Sequence, residues 1–576
     1  MSPVATGLWR YVPALDSLRR YGWVDCRADF IAGLTVAAVA VPQAMAYGLA
    51  AGVDPVYGLY TAIVMTAIGA IFDSSRQLIN GPTNATSIAI LSATAMIAAD
   101  QKLEMVVLLG FLIGAIQLGI SLLKLGDLTR LISHSVVVGF TAGAGTLLVL
   151  DQLKNLLGRK AVGSPSDHFI VRLWRTLASD APIHVPTLAV GLASIALVVV
   201  LRLAKDRLKA PLFPELLAVV AFMAWLTAFF ELDELGVQVV GVIPGSLPGF
   251  RAPEISWGRV QELSYSAFAI ALLGLLEALA MAKGIANRTG QRLDLNQQCL
   301  SEGLANFGGS FFQCIPGSGS LTRSAINQQA GARTQWSGVW SAAAVAIIML
   351  VFAPWARFIP KSALAGLLIV TAWRMVDKEA LAYSIKATRF DAIIIVATAF
   401  SAVFVSIEFC IIIGVLLSFA LAVPRTGRML LTEFVLGEDG HVHERFAADE
   451  PDPEMLIFGL EGEMFFAAGP ALESHLDMIE SRLDGKVKIL VLRVKRVRNP
   501  DAVGTHMLDH FVRRMHGRGV HVLLCGVRAE LETVFEKTGL VALIHSDHVF
   551  VEQPVRETST ALAVRHAQRL LGRTKS

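Results

Sequence analysis

Two short segments of this sequence carry the residue types with which a helix begins in the middle of a membrane. Residues 81–87 read Gly-Pro-Thr-Asn-Ala-Thr-Ser, and residues 316–323 read Pro-Gly-Ser-Gly-Ser-Leu-Thr-Arg. Each interrupts apolar sequence with glycine and proline, and then re-enters it through small hydroxyl residues that favour helix starts. A helix N-terminus presents unpaired N–H groups and about half a positive charge. Two such starts therefore predict a paired site that can hold an anion.

Seven residues at these helix starts are candidates for anion contact through backbone N–H groups, hydroxyls, an amide or a guanidinium. They are Thr83, Asn84 and Ala85 at the first start, and Ser320, Leu321, Thr322 and Arg323 at the second. Taken alone, either motif is also what an ordinary cap at a loop–helix junction looks like. Arg323 has a further alternative, because an arginine near a helix end can snorkel to the membrane surface.

Glu277 is the most informative single residue, because it places a carboxylate within the apolar run 272–281. A charged group in the middle of a span costs about 2.5–3.5 kcal/mol even on the mildest insertion scales, so such a group is usually functional. We expect it to bind a coupling cation, carry a proton or pair with a cation, and Arg323 is the expected partner. The alternative is a structural salt bridge that locks two helices together.

Gln43 and Tyr47 lie one turn apart on one face of the first apolar stretch, next to Pro42. The proline frees a backbone carbonyl, so this face of the helix can line a polar cavity. Gln43 and Tyr47 therefore join the candidate contacts. Hydrogen bonding between helices is the alternative.

Composition separates a membrane part from a soluble tail. The chain has 576 residues, 54% of them hydrophobic, and its mean hydropathy of +0.57 exceeds that of soluble domains. Of the 97 charged residues, 40 lie among 432–576. The predicted parts are an N-terminal segment at 1–27, a transmembrane domain at 28–424, a linker at 425–450, a soluble domain at 451–565 and a tail at 566–576.

The sequence argues against several other classes of protein. The net charge is only +3, and no basic aromatic patch indicates nucleic acid. The five cysteines lack metal-ligand spacing, and no phosphate loop or nucleophile–base pair is present. We therefore expect no enzyme activity, no metal and no organic cofactor. The polar, basic first 27 residues do not read as a cleavable signal peptide.

Fourteen apolar stretches are predicted to lie in the membrane. They are near 30–51, 57–72, 83–99, 105–123, 134–153, 186–204, 212–231, 263–283, 302–313, 320–331, 336–354, 361–376, 390–406 and 408–423. Several are shorter than the roughly 20 residues that cross a bilayer, and the third, ninth and tenth are the weakest. Short, Gly/Pro-interrupted spans at matching places in two halves indicate the binding site of a transporter.

Basic residues in the loops predict the orientation. Loops after even-numbered spans carry Arg76, Lys124, Arg130, Arg202, Lys205, Arg207, Lys209, Lys283, Arg288, Arg292, Arg333, Arg374, Lys378, Lys386 and Arg389. Loops after odd-numbered spans are poor in Lys and Arg, apart from the longer loop 154–185. The positive-inside rule then places both termini in the cytoplasm of a multi-pass protein of the inner (plasma) membrane.

The two halves of the membrane part match each other. Gln43 in the first span and Glu277 in the eighth lie 234 positions apart, and Thr83 and Ser320 lie 237 apart. A nearly constant offset is what two repeats of seven spans would give. Because seven is odd, the second repeat must be inverted in the membrane.

Five groups of motif residues follow one another in a specific order: 42–47, 55–60, 75–76 with 81–82, 320–324 and 331–335. In this order they resemble the SulP (sulfate permease) family of anion transporters, and the resemblance covers nearly the whole chain. It implies a seven-plus-seven inverted repeat with core and gate domains and an anion site between the third and tenth helices. It also implies a cytoplasmic STAS domain and often a homodimer.

The resemblance carries over to single residues. Gln43, Thr83 and Thr322 match the family's anion-site positions, and Arg323 matches the nearby basic residue. Glu277 matches the acidic position of the eighth helix, where sodium-coupled members tend to have Asp. The Glu therefore favours H⁺ coupling or exchange over Na⁺.

The tail reads as an α/β domain of the STAS type. Buried strands are predicted at Met455–Leu460, Val487–Val494 and Val520–Cys525, and they alternate with helices near 471–483, 502–516 and 528–539. The loop that carries a phosphorylatable Ser in bacterial anti-sigma-factor antagonists has Ala and Val between Asp501 and Gly504. A phosphorylation switch is therefore not expected there, and Thr505 is the one remaining hydroxyl nearby.

The sequence thus predicts secondary transport of a small anion by alternating access, coupled to protons or by exchange. Sulfate, bicarbonate and C4-dicarboxylates all fit, and the direction and stoichiometry stay open. A passive anion channel on the same fold is one alternative. A membrane sensor that signals through the tail to a cytoplasmic protein is another. The expected partners are the anion, the lipid bilayer, a second copy of the chain and a cytoplasmic partner of the STAS domain, without nucleic acid.

Overall fold

The computed structural model describes residues 12–19, 21–98, 100–126, 133–163, 167–179, 182–208, 210, 213–437, 441–552 and 558–573. Arg130, Lys209 and the outermost parts of the two predicted terminal segments lie outside these residues. The chain divides into two compact units, 1–418 and 419–576.

Each predicted membrane stretch overlaps a helix of the described residues. The described helices up to the end of the apolar sequence are α1 (Pro13–Leu18), α2 (Trp23–Ala50), α3 (Pro55–Phe72), α4 (Asn84–Ala93), α5 (Lys102–Leu122), α6 (His134–Leu156), α7 (Phe169–Leu177), α8 (Val185–Arg207), α9 (Glu215–Phe229), α10 (Trp257–Thr289), α11 (Leu295–Ser310), α12 (Leu321–Gln329), α13 (Trp336–Ala356), α14 (Lys361–Met375), α15 (Lys378–Ala387), α16 (Arg389–Phe404) and α17 (Ile407–Thr426). Only the short helices α1, α7 and α15 were not predicted. Seven of the described helices are long and apolar enough to cross a membrane, namely α2, α3, α5, α6, α8, α10 and α13.

The third and tenth spans are short helices, as predicted. α4 has 10 residues and α12 has 9, which is well below the length that crosses a bilayer. The ninth span differs from the prediction, since α11 begins seven residues before 302. Asp294 caps it by accepting hydrogen bonds from the N–H groups of Asn296 and Gln297. Its first two turns are buried although they are polar, which hides them from a hydropathy reading.

The helices of the first unit pack in two groups. The core group contains α2, α3, α5, α10, α11 and α13, which make most of their helix contacts with one another and hold α4 and α12. The gate group contains α6, α8, α9, α14 and α16. In each repeat, the first four apolar helices thus belong to the core group, and helices of the later three form the gate group.

A two-stranded ladder joins the repeats inside the core group. β1 (Asn80–Gly81) pairs antiparallel with β2 (Ser318–Gly319), so that Asn80 faces Gly319 and Gly81 faces Ser318. The approach is too close for side chains. Gly81 has a φ of +147°, and a Cβ on Gly317 would lie 2.3 Å from the carbonyl oxygen of Gly81. The glycines of the two motifs are therefore needed for this contact.

The second unit is a six-stranded mixed sheet with helices on both faces. The strands are β3 (Met429–Leu436), β4 (Val442–Glu444), β5 (Met455–Glu463), β6 (Ile489–Arg498), β7 (His521–Val527) and β8 (Val549–Val551). Their spatial order is β4-β3-β5-β6-β7-β8, with β5 to β8 parallel. The helices are α18 (Gly469–Ser481), α19 (Ala502–Gly517), α20 (Ala529–Lys537), α21 (Leu540–Ile544) and α22 (Ser559–Leu570). The predicted strands and helices of the tail are confirmed.

The stretch 425–450, predicted as a linker, instead supplies β3 and β4 at one edge of the sheet. Only Met429, Phe434 and Val435 of β3 are fully buried. Such an edge strand shows no regular apolar alternation, and the charged residues that follow it resemble a linker. Helix α22 likewise runs across the predicted boundary at 565 and packs on the face of the sheet opposite to α18 and α19.

Candidate functional site

The two short helices begin directly beyond the β1–β2 ladder. The Thr83 hydroxyl caps α4 by accepting a hydrogen bond from the N–H of Thr86, and the Ser320 hydroxyl caps α12 by accepting one from the N–H of Arg323. The ladder holds the two strands side by side, so both helix N-termini lie at the same level of the core group. The N–H groups of the first residues, Asn84 and Leu321, have no partner within the described part of the chain. Such donors are free for an anion.

Both helix starts open into one cavity of about 530 Å³ between the core and gate groups. Nine of the ten predicted site residues line it: Gln43, Tyr47, Thr83, Asn84, Ala85, Glu277, Ser320, Leu321 and Thr322. Leu321 is 56% exposed although it lies inside the membrane part, because its side chain faces this space. The sequence therefore located a shared cavity from residues that lie up to 279 positions apart.

Glu277 on α10 joins the two helix starts. One of its carboxylate oxygens, Oε2, accepts a hydrogen bond from the Thr83 hydroxyl at 3.0 Å and another from the Ser318 hydroxyl at 2.5 Å. Ser318 belongs to β2 and Thr83 follows β1, so the carboxylate bonds to both sides of the ladder. It also lines the cavity. A change in its charge is therefore felt at both anion-facing helix starts.

Arg323 occupies a different place from the one expected. It does not line the cavity, and no ion pair joins it to Glu277 within the described residues. Its guanidinium is fully buried behind the first helix start and donates a hydrogen bond to the Pro82 carbonyl at 2.8 Å. Its Nε and Nη1 atoms have no hydrogen-bond partner among the described residues. The third position of α12 points its side chain away from the cavity, whereas the second position, Thr322, points toward it.

Gln43 has the most unusual environment among the polar residues of the cavity. It is 3% exposed, and within the part of the chain that the structure describes neither its amide nitrogen nor its amide oxygen has a hydrogen-bond partner. Buried amides are nearly always paired. Asn84 also has an unpartnered buried oxygen, Oδ1. The alternative for Gln43, a hydrogen bond to a neighbouring helix, is not found among the described residues, so both amides remain available to a bound molecule.

Several residues of this site were missed in the sequence. Ser318 lies within the second motif but is not among the predicted site residues, although its 235-position distance from Thr83 is close to the repeat offset. The gate wall contributes Arg202, Lys205 and Glu215, which form ion pairs of 3.0 and 2.8 Å. In the sequence, Arg202 and Lys205 appear only among the basic residues that predict the orientation, and Glu215 is not singled out.

Comparisons with known proteins place this chain in a family. Residues 26–398 match the model of the sulfate permease family, and residues 447–557 match that of the STAS domain. The chain is 31% identical over 532 residues to the putative sulfate transporter YvdB of Bacillus subtilis, covering 92% of this chain and 97% of that protein.

A further relative and a solved structure are also similar to this chain. The sodium-independent sulfate anion transporter of Bos taurus is 31% identical over 440 residues, which is 71% of each chain. The murine Solute Carrier 26 family member A9 anion transporter has the same fold, with a TM-score of 0.88 and 20% identity over 99% of this chain and 96% of that one. The chain therefore belongs to the sulfate permease family, as a multi-pass membrane protein with a seven-plus-seven inverted repeat and a C-terminal STAS domain.

Proposed function

We propose that this protein carries a small anion across the membrane by alternating access. The observation that supports this best is the shared cavity, into which two helix N-termini open between the core and gate groups. Each N-terminus contributes free N–H groups and about half a positive charge. The core group would carry the bound anion past the gate group as the two rock against each other.

Sulfate is the substrate that we propose first. The relatives that match most of this chain are named as sulfate transporters. A tetrahedral dianion needs donors from several directions, and the cavity offers two helix starts, the Thr322 hydroxyl and the Gln43 amide. Bicarbonate and C4-dicarboxylates are the competing substrates that the experiment below must compare.

We propose that Glu277 couples the anion to a proton. An ionised Glu277 would hold the Thr83 and Ser318 hydroxyls and would repel an anion at the same helix starts. A protonated Glu277 carries no charge, so the anion and the proton bind better together than separately. The name of the bovine relative, a sodium-independent transporter, is in line with H⁺ rather than Na⁺ as the coupling ion.

Uptake of labelled sulfate into proteoliposomes tests this function. We expect saturable uptake that an inward proton gradient drives, with competition by bicarbonate and dicarboxylates measured at two pH values. Large currents without coupling would favour a passive channel, and uptake that follows a Na⁺ gradient would replace the proton. Unchanged transport in the double variant Glu277→Ala/Thr322→Ala would remove the site assignment.

Glu277→Gln isolates the coupling. The amide keeps the size of the side chain and one acceptor oxygen for the two hydroxyls, but it cannot exchange a proton. We expect anion exchange to persist while accumulation driven by the proton gradient is lost. The matched control is Glu262→Gln, which makes the same change on the same helix α10 but outside the cavity. Gradient-driven accumulation that survives in Glu277→Gln would contradict proton coupling through this residue.

We propose in addition that the protein is a homodimer of the plasma membrane with both termini in the cytoplasm, and that its STAS domain binds a cytoplasmic protein. The basic residues of the loops after even-numbered spans support the orientation. Accessibility of single cysteines introduced at either end of the chain to a membrane-impermeant reagent, applied to intact cells, tests it. Labelling from outside would reverse the orientation.

A further inference from the structure

A second buried carboxylate lies in the core group, away from the cavity. Glu302 on α11 is 0% exposed, and among the described residues neither of its carboxylate oxygens has a partner at hydrogen-bond geometry. The Gln298 amide is the side-chain donor that acts on it, and the same amide is already bonded to Asp73. It does not line the cavity that holds Glu277. An ionised carboxylate without donors in a protein interior is among the costliest arrangements known, so this group requires a compensating partner or a proton.

The nearest acidic group cannot be that partner. Asp73, at the end of α3, is 1% exposed. In contrast to Glu302 it has several hydrogen-bond donors, since its Oδ1 atom accepts hydrogen bonds from Gln298 (2.5 Å) and Ser301 (2.7 Å). The Asn80 amide donates to both of its oxygens, at 3.1 and 3.2 Å. These donors, from Gln298, Ser301 and Asn80, favour the charged form of Asp73 over that of Glu302. Two carboxylates in one buried site do not both ionise, and the one with fewer donors takes the proton.

The remaining neighbours offer no positive charge. The titratable groups that act on Glu302 are Asp73 from α3, Glu277 from α10 and Cys299 of its own helix. Helix α5, which packs along α11, contributes the uncharged amide of Gln117. Within the described residues neither Glu302 nor Asp73 forms an ion pair.

Glu302 also stands between the two supports of the β1–β2 ladder. Gln298, Glu302 and Asn306 are spaced by four residues and lie on one face of α11. Toward β1, Gln298 and Ser301 bind Asp73, which in turn holds Asn80. Toward β2, the Asn306 amide accepts from the N–H of Gly317 at 3.0 Å and donates to its carbonyl at 3.2 Å. The charge of Glu302 therefore acts on both attachments of the ladder.

We propose that Glu302 is a proton-binding site of the core group, that it is occupied at neutral pH, and that its proton keeps the β1–β2 ladder in register. Loss of the proton places a second negative charge beside Asp73 and strains the contacts of α11 with both strands. The consequence is a loss of stability and of anion binding at alkaline pH. This site is distinct from Glu277, which meets the cavity directly.

Infrared spectroscopy of the purified full-length protein tests the proton without any assay of transport. Because Glu277 is also proposed to carry a proton, the deciding comparison is made without it. We expect Glu277→Gln to show a protonated-carboxyl C=O band at neutral pH and Glu277→Gln/Glu302→Gln to lose it. An equal band in these two variants, or no band in Glu277→Gln, would overturn the proposal.

Thermal unfolding across pH gives the second readout. Glu302→Gln mimics the protonated group, so it should match the wild type at acidic pH and exceed its melting temperature at alkaline pH. Asp73→Asn should make the alkaline loss of stability smaller than in the wild type, because an ionised Glu302 no longer meets a second negative charge. Glu302→Gln that is destabilised equally at every pH would show a merely structural role. Stabilisation of the wild type by Na⁺ that is absent in Glu302→Gln would show a metal cation in place of the proton, and both results would refute the inference.

Discussion

At the scale of single residues, the membrane part contains polar groups whose contacts are incomplete. Gln43 has an unpartnered amide that faces the cavity, and Arg323 has a guanidinium with one hydrogen bond and two unpartnered nitrogens. Leaving such groups unpaired costs about 1–3 kcal/mol each. This cost is offset if the amide contacts the anion and the guanidinium acts on it through its charge.

Replacement of Arg323 separates its charge from its hydrogen bond. Arg323→Gln keeps a donor for the Pro82 carbonyl but removes the positive charge, and we expect the affinity for sulfate to fall about tenfold, or about 1.4 kcal/mol. Arg323→Lys keeps the charge and should retain most of the affinity. Isothermal calorimetry at two salt concentrations measures both variants. Equal affinities of Arg323→Gln and the wild type would limit the arginine to a structural role.

Nine of the ten residues singled out in the sequence line the cavity, and Arg323 does not, although its charge acts on Glu277. The reason is helix phase. Consecutive residues of a helix point about 100° apart, so Thr322 can face the cavity while Arg323 faces the ladder. The start of α12 must be known to within one residue to tell them apart, and sequence reading rarely fixes a helix boundary that well.

At the scale of elements, the helix starts of α4 and α12 are the groups proposed to bind the anion. Proline at the first helical position removes one N–H and keeps the helix, because its φ suits that position. The preceding residue, Ser320, is already extended, with φ −86° and ψ 120°, so it accepts a proline after it.

Leu321→Pro therefore removes one anion-facing donor without breaking α12. A charge-assisted hydrogen bond is worth about 1.5–3 kcal/mol, so we expect the KM for sulfate uptake to rise about tenfold or more. Leu321→Ala removes the side chain alone and is the matched control. Trp257→Pro makes the same change at the start of α10, outside the cavity. If Leu321→Pro and Leu321→Ala had the same KM, the backbone donor would have no part in binding.

The elements themselves were largely predictable because apolar runs and Gly/Pro breaks are local signals. The start of α11 was not, since Gln297, Gln298 and Ser301 are buried by contacts with residues more than 200 positions away. The same holds for the gate wall. Arg202 and Lys205 meet Glu215 through tertiary packing, and no spacing in the sequence indicates that they face the cavity.

In the STAS domain, Thr505 beside the loop Asp501–Gly504 is buried. Thr505 is 1% exposed, and its hydroxyl donates a hydrogen bond to the Asp501 carbonyl at 2.7 Å. The side chain of Asp501 caps α19 through the N–H of Gly504 and also accepts from the N–H of Phe466. A kinase could reach Thr505 only if this helix start unfolded. The loop therefore has a structural role in the domain.

At the scale of the whole molecule, a histidine cluster makes the second unit sensitive to acid. His548 lies near His521, His545 and His566, with ring centroids 5.9, 6.3 and 5.3 Å away. Burial lowers the pKa of His516, His548 and His566, and neighbouring positive charges lower it further. The unfolded chain, whose histidines have a pKa of about 6.5, then binds more protons than the folded one.

We therefore expect the second unit to lose stability as the pH falls through about 6.5, and to keep it above that value. Thermal unfolding of the full-length protein between pH 5 and pH 8 measures this loss. His548→Gln/His566→Gln should reduce it, whereas His506→Gln, an exposed histidine outside the cluster, should not. An unchanged pH dependence in the double variant would exclude the cluster as its source.

The β1–β2 ladder has a consequence for how the protein is made. Asn80 and Gly81 emerge from the ribosome 237 to 239 residues before the strand that pairs with them. At about 5–20 residues per second, that separation is roughly 12–48 s of synthesis. During this interval the first repeat sits in the membrane with an unpaired strand and a half-length helix. During biogenesis this unpaired half of the site therefore has to be protected until β2 is made. The first repeat synthesised alone would lack the second helix start and so would have no anion site.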